Sequence, residues 1–130
     1  MNAKIKILLV DDDEDFLFQH RIQLENAGFD VATATSRAKA EEVAPAFQPD
    51  LAILDLMMEQ PDDGFVLSHH LERARPGLPI ILVTAVTSET GLVFDPATPS
   101  ERAWVGADAV LAKPIRFEQL KREIERLLHG

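Results

Sequence analysis

Cysteine is absent from the 130 residues, which excludes disulfides, thiolate metal sites and cysteine nucleophiles. Positive charge is scarce as well: 13 Lys and Arg face 22 Asp and Glu, for a net charge of -9. A surface so acidic repels phosphate backbones and anionic membranes at long range, so neither nucleic acid nor a lipid surface is expected as a direct partner. No apolar run approaches the ~20 residues a membrane-spanning helix needs, and MNAKIKILLV meets acids too soon to hold a signal-peptide core and cleavage site. Repeats, low-complexity tracts and interdomain linkers are not visible. The expectation is one cytoplasmic domain covering 1–130, with 46% hydrophobic residues ample for its core.

Apolar runs of strand length stand at KIKILLV, LAILDL and PIILVT, separated by segments with helical spacing. That alternation predicts βαβ units and a parallel sheet, hence an α/β fold. Leu17, Phe18, Ile22 and Leu24 mark a first helix, stopped by Gly28 at a C-cap position. Ser36 or Thr35 caps a second helix through Ala40, Val43, Ala44 and Phe47, which ends before QPD. Phe65, Leu67, Leu71 and Ala74 mark a third, broken at RPGLP, and Leu120, Ile124, Leu127 and Leu128 mark a last helix over Phe117 to His129. The strands near Leu8, Ile53 and Leu82 are almost wholly apolar, as strands covered on both faces must be, whereas FDVATA and ADAVLA suit sheet edges. These assignments fit strand order 2-1-3-4-5.

Val10 hands the chain directly to five acids, Asp11 to Asp15. Right-handed crossovers put the carboxyl ends of all parallel strands on one edge of the sheet, where ligands bind at the topological switch point. Asp11 and Asp12 follow the first strand and Asp55 ends LAIL, so neighbouring first and third strands bring three carboxylates into one cleft. Like charges so close require a cation. Mg2+ suits them, because it takes hard oxygen ligands, keeps several waters, and commonly uses one or two carboxylates plus a substrate phosphate. Thr84 ends the fourth strand and Lys113 the fifth, adding a hydroxyl and an ammonium. The set suits phosphoryl transfer: one carboxylate as nucleophile, with metal, ammonium and hydroxyl neutralising the transferring group. Asp13 to Asp15 lead into the first helix, where negative charge favours the positive end of the dipole; they are capping residues.

Carried on these residues, the sequence resembles the receiver domains of bacterial two-component response regulators, over nearly the whole chain. The matching positions are the acid pair in LLVDDDED, Asp55 in LAILDLMM, Thr84 with Ala85 in ILVTA, and Lys113 with Pro114 in AKPI. The resemblance implies a stand-alone receiver with a (βα)5 doubly wound, flavodoxin-like fold. It implies that Asp55 accepts a phosphoryl group from a sensor histidine kinase and that the chain catalyses its own Mg2+-dependent phosphorylation and dephosphorylation. Asp12 would ligate Mg2+ directly, Asp11 largely through water, and the backbone carbonyl of Met57 would be a further ligand. Thr84 would bind a phosphoryl oxygen when the domain switches. Lys113 would pair with Asp55 and then with its phosphate, and its bond to Pro114 would be cis.

Three features depart from the family. EQPDDG puts Glu59 where Pro is usual and adds one residue. TSETGLVFDPATPSERAWVGADAVL, between Thr84 and Lys113, is about seven residues longer than the usual spacing. Within it Thr98, Pro99 and Glu101 form a capping-box pattern for a short helix ended by Gly106, so the region between the fourth and fifth strands is atypical. Val110 stands where receivers carry a switch aromatic, with Phe94 or Trp104 as candidate substitutes. The long loop and Trp104 would make a partner-specific surface. With nothing following the last helix, the signal is expected to pass by protein contact to a downstream target; the resemblance also admits a phosphorylation-dependent homodimer. His69 and His70 are read as surface residues, and no spacing supports a phosphorelay role for His20 or His70. Two other readings compete: a receiver-like interaction module that is not phosphorylated, and a haloacid-dehalogenase-type phosphatase using Asp11 and Asp13, which leaves Asp55 without a role.

Overall fold

The structure is a computed structural model and describes residues 4–56, 58, 63–85 and 108–129. Five strands, β1 (Lys6–Val10), β2 (Asp30–Ala34), β3 (Leu51–Asp55), β4 (Ile80–Ala85) and β5 (Ala109–Lys113), form one sheet. Every pairing is parallel and the order is β2-β1-β3-β4-β5, as expected from the distribution of apolar residues. Four helices are described: α1 (Glu14–Asn26), α2 (Arg37–Phe47), α3 (Asp63–Ala74) and α4 (Phe117–His129). The fold is an α/β doubly wound sheet. None of the described helices is long and apolar enough to cross a membrane.

Side chains alternate along each strand, so the sheet has two apolar faces. Leu8, Val10, Ala52, Leu54, Ile80 and Leu82 pack with Ala40 and Ala44 of α2 and Leu67 and Leu71 of α3. The alternate residues Ile7, Leu9, Ile53, Ile81, Val83 and Leu111 pack with Leu17 and Leu24 of α1 and Leu120 and Ile124 of α4. β3 is buried at all five positions, whereas the edge strands β2 and β5 are mostly half-buried. This is the burial difference that separated FDVATA and ADAVLA from the central runs.

The ends of α1 follow from local chemistry. Asp13 is the N-cap, its carboxylate accepting from the backbone N–H of Asp15 (3.0 Å) and Phe16 (3.3 Å). At the other end Ala27, rather than Gly28, is the cap. Gly28 lies one residue beyond, at φ +101°, donating to Glu25, while Phe29 donates to Leu24. This is the Schellman arrangement, which needs a left-handed residue at that place. Phe18 and Ile22, which helped mark this helix in the sequence, are on its outer face, 59% and 39% exposed. The stripe facing the sheet is instead Leu17, His20 and Leu24, because Phe18 is turned about 100° from Leu17 on a helix of 3.6 residues per turn.

Ser36 caps α2 by accepting from the N–H of Lys39 at 3.1 Å, and Gln48 closes it in the left-handed region. Pro45 sits in the last turn of α2, where the helix ends two residues later. The N-terminal ends of α2 and α3 are joined by Arg37, whose Nε lies 3.0 Å from the carboxylate of the buried Asp63. Met57, Glu59 and the stretch 86–107, with Phe94, Thr98, Pro99, Glu101, Trp104 and Gly106, lie outside the described residues.

Candidate functional site at the carboxyl edge of the sheet

The register of β1 against β3 pairs Val10 with Leu54, so Asp11 and Asp55 leave the sheet side by side. Asp11 is fixed from three directions. Its backbone N–H donates to Ala34 at 3.1 Å, its Oδ1 accepts from the N–H of Asp13 at 2.9 Å, and its Oδ2 accepts from Nζ of Lys113 at 2.9 Å. It is fully buried, Asp55 is nearly so, and Asp12 faces solvent. One carboxylate oxygen from each of the three lies within 4.8 Å of the others.

Lys113 is the last residue of β5, and its peptide bond to Pro114 is cis. The ammonium sits 2.9 Å from Asp11 and 3.8 Å from Asp55. Both carboxylates are therefore within ion-pair distance, with Asp11 the nearer. The pleat explains the meeting: Asp11, Asp55 and Lys113 continue the alternation of Leu9, Ile53 and Leu111, the face covered by α1 and α4. Burial pushes the Asp11 carboxyl up from its ordinary value, and the Asp13 N–H and Lys113 offset this only in part. Burial pulls the Lys113 ammonium down, but its hydrogen bond to Asp11 and the charges of Asp11, Asp55 and Asp12 outweigh that, and the net shift is upward. The carboxylate thus loses from the arrangement and the ammonium gains.

That imbalance bears on what the site can hold. Three carboxylates facing one ammonium leave excess negative charge, and the donors are all hard oxygens, the set Mg2+ takes. Thr84, half-buried, is the penultimate residue of β4 rather than its last, paired in register with Ala112, while Ala85 pairs with Lys113. Val110 lies on the opposite face of the sheet from Lys113 and packs against the cluster under α2 and α3. Met57 falls outside the described residues, and of Ala85 only the backbone is described.

Two contributors were not singled out in the sequence. Gly64, at the start of α3, donates its N–H to Leu56 at 2.9 Å. A Cβ on Gly64 would stand 2.5 Å from the carbonyl oxygen of Asp55 and 2.6 Å from Cα of Leu56, both backbone atoms. Only glycine lets the helix approach the end of β3 this closely. Gly64→Ala is expected to cost roughly 2–3 kcal/mol in urea unfolding and to displace Leu56 relative to Asp55. Phe16, in the first turn of α1, faces Lys113, with the ammonium 4.7 Å from its ring centroid. The acidic N-cap just before Phe16 was the available signal, since it fixes where the helix begins. A cavity of about 1000 Å³ at the opposite edge of the sheet, lined in part by Lys4, Lys6, Pro45 and Leu78, gathers no such convergent set. Its polar side chains include Arg75, paired with Asp50, and His70, in contact with Glu41.

A doubly wound parallel sheet whose carboxyl edge gathers an acid triad and a lysine is an α/β domain with its candidate ligand site at the topological switch point. The chain belongs to the response regulator receiver domain family, whose model matches residues 7–125. It is 34% identical over 125 residues to the DNA-binding dual master transcriptional regulator RpaA of Synechocystis, covering 95% of this chain and 48% of that protein. It is 32% identical to the alkaline phosphatase synthesis transcriptional regulatory protein PhoP of Bacillus subtilis, covering 95% and 48%. The chain thus spans about half the length of these curated relatives. Among solved structures it superposes on Vibrio cholerae chemotaxis protein CheY4 with a TM-score of 0.81 at 28% identity, covering 96% of this chain and 99% of that one. A receiver domain from Methanospirillum hungatei gives 0.79 at 27% identity, covering 96% and 94%. Receiver domains bind Mg2+ and interact with sensor histidine kinases in two-component systems.

Proposed function

We propose that this chain acts as one receiver domain that accepts a phosphoryl group on Asp55 from a sensor histidine kinase. The observation that carries this reading is the convergence of Asp11, Asp12 and Asp55 within 4.8 Å, with Lys113 reaching two of them. A carboxylate oxygen of Asp55 attacks phosphorus and forms an O–P bond. The bond from phosphorus to the donor nitrogen of phosphohistidine breaks, and the imidazole leaves with the electron pair. Asp12 and Asp55 would hold Mg2+ directly, Asp11 would act largely through water and the Met57 carbonyl would be a further ligand; the ion would supply positive charge to offset that of the transferring group. Lys113 stands beside Asp55 to pair with the new phosphate, and Thr84 donates its hydroxyl to a phosphoryl oxygen on switching. Thr84, Ala85, Val110, Lys113 and Pro114 make up the switch region. Hydrolysis of the acyl phosphate at the same site resets the domain. The net charge of -9 opposes contact of the receiver itself with nucleic acid, so the signal passes by protein contact.

Intact mass after incubation with acetyl phosphate tests this. A single phosphoryl adduct should form with Mg2+ and vanish with EDTA. No adduct from acetyl phosphate or from a phosphorylated histidine kinase, with Mg2+ binding intact, would instead identify an interaction module that works without phosphorylation.

A further inference from the structure

Lys113 is held on three sides, and only two of them are carboxylates. Its ammonium lies 2.9 Å from Asp11, 3.8 Å from Asp55 and 4.7 Å from the centroid of the Phe16 ring. A cation over an aromatic face is attracted by the ring quadrupole without competing for its hydrogen-bond donors. The ring is itself held. The backbone N–H of Phe16 donates to the N-cap Asp13 at 3.3 Å. His20, one turn on and 8% exposed, stacks on the Phe16 ring with centroids 4.0 Å apart and planes 27° apart. Nδ1 of His20 is 2.9 Å from the Phe16 carbonyl oxygen, which fixes the imidazole under the ring.

We infer that Phe16, backed by His20, is a positioning residue that keeps the Lys113 ammonium between Asp11 and Asp55. The inference rests on the phosphoacceptor reading for its consequence but not for its geometry. Asp11 alone could draw the flexible lysine stem away from Asp55, since it is the nearer carboxylate. The ring supplies a third contact from α1, so the ammonium stays at the mouth of the site, where a phosphoryl group on Asp55 would meet it. The acidic run thereby has a second use: by capping α1 at Asp13 it sets the rotation that turns Phe16 toward the end of β5.

Two measurements separate this role from simple packing. In the unphosphorylated protein without metal, the Cε protons of Lys113 should resonate upfield because they lie near the ring face; the shift should disappear in Phe16→Leu and persist in Phe16→Tyr. At saturating Mg2+ and acetyl phosphate, Phe16→Leu should form the Asp55 adduct about five- to tenfold more slowly with unchanged Mg2+ affinity, and Phe16→Tyr should restore the rate. No ring shift in the parent, or equal rates in parent and Phe16→Leu, overturns the inference while leaving the phosphoacceptor reading intact. A parent that shows the ring shift but forms no adduct overturns both the phosphoacceptor reading and the role given to Phe16 in it.

Discussion

Asp55→Asn is expected to abolish the phosphoryl adduct altogether, under conditions in which the parent takes one group per chain. The substitution keeps the shape of the side chain and the end of β3, so the sheet should be undisturbed. What it removes is the proposed nucleophile: an amide oxygen cannot form the acyl phosphate that a carboxylate oxygen forms. The neighbouring acids do not replace it. Both oxygens of Asp11 are engaged, one by the Asp13 N–H and one by Lys113, and the residue is fully buried. Asp12 faces solvent. Intact mass of parent and variant side by side, with acetyl phosphate and Mg2+, is the measurement. A persistent adduct in Asp55→Asn would place phosphorylation elsewhere and refute the assignment.

Lys113→Ala should have two large and separable effects. The first is on stability. Removing the ammonium leaves Asp11 as a buried charge without its closest counter-ion, and a loss of about 3 kcal/mol at neutral pH is expected for a broken buried pair. The sign of its pH dependence follows from the shifts. The Asp11 pKa is already raised in the folded parent by burial, and Lys113 is among the groups that hold it down. In the variant it rises further. A carboxyl with a raised folded pKa adds stability in its protonated state and loses that contribution as pH climbs through the folded value. The deficit of Lys113→Ala should therefore shrink on acidification toward the unfolded carboxylate range, where Asp11 is protonated and needs no partner. In the parent, the raised Lys113 pKa means its stabilisation is complete below the unfolded lysine value and is lost as pH rises through the folded one. Mg2+ should offset part of the deficit if, as proposed, the folded acid cluster binds it. Urea unfolding at about pH 5 and about pH 7, with and without Mg2+, reads all three. A deficit that grows on acidification would contradict the account.

The second effect is on signalling. Asp55 remains a carboxylate in Lys113→Ala, so an adduct should still be measurable, but without the ammonium the new phosphate has lost the group that ties it to β5. Backbone amide NMR spectra of the variant should then respond to phosphorylation far less than those of the parent. Equal spectral responses would show that Lys113 does not transmit the change.

Much of this was legible in the chain as written. The three apolar runs announce central strands because a strand covered on both faces has no room for alternation, and FDVATA and ADAVLA announce edges because their less apolar make-up suits strands that are mostly half-buried. The acids after Val10 and Asp55 are read as a site because parallel crossovers place strand ends together whatever else the chain does. Phe117 to His129 was readable in full because its apolar stripe has the helical period without interruption.

Other features depend on contacts between residues far apart in sequence. Phe18 and Ile22 have the right spacing for a helix yet lie outside, since periodicity shows that a face exists and the rotation of the helix on the sheet decides which face is buried. Asp11, not Asp55, lies nearest to Lys113, at 2.9 Å against 3.8 Å, a difference that strand register and side-chain reach decide. Gly64 looks like a turn glycine until the backbone of Asp55 and Leu56 is brought against it. Phe16 looks like any apolar residue in a first turn until β5 delivers an ammonium to its ring. The sequence by itself determined most of the described elements, a strand order they fit and the edge at which the candidate site residues gather, because these follow from local periodicity and the handedness of the chain. Only the tertiary structure decided which side chains at that edge touch, because contact distances depend on the packing of whole helices against the sheet.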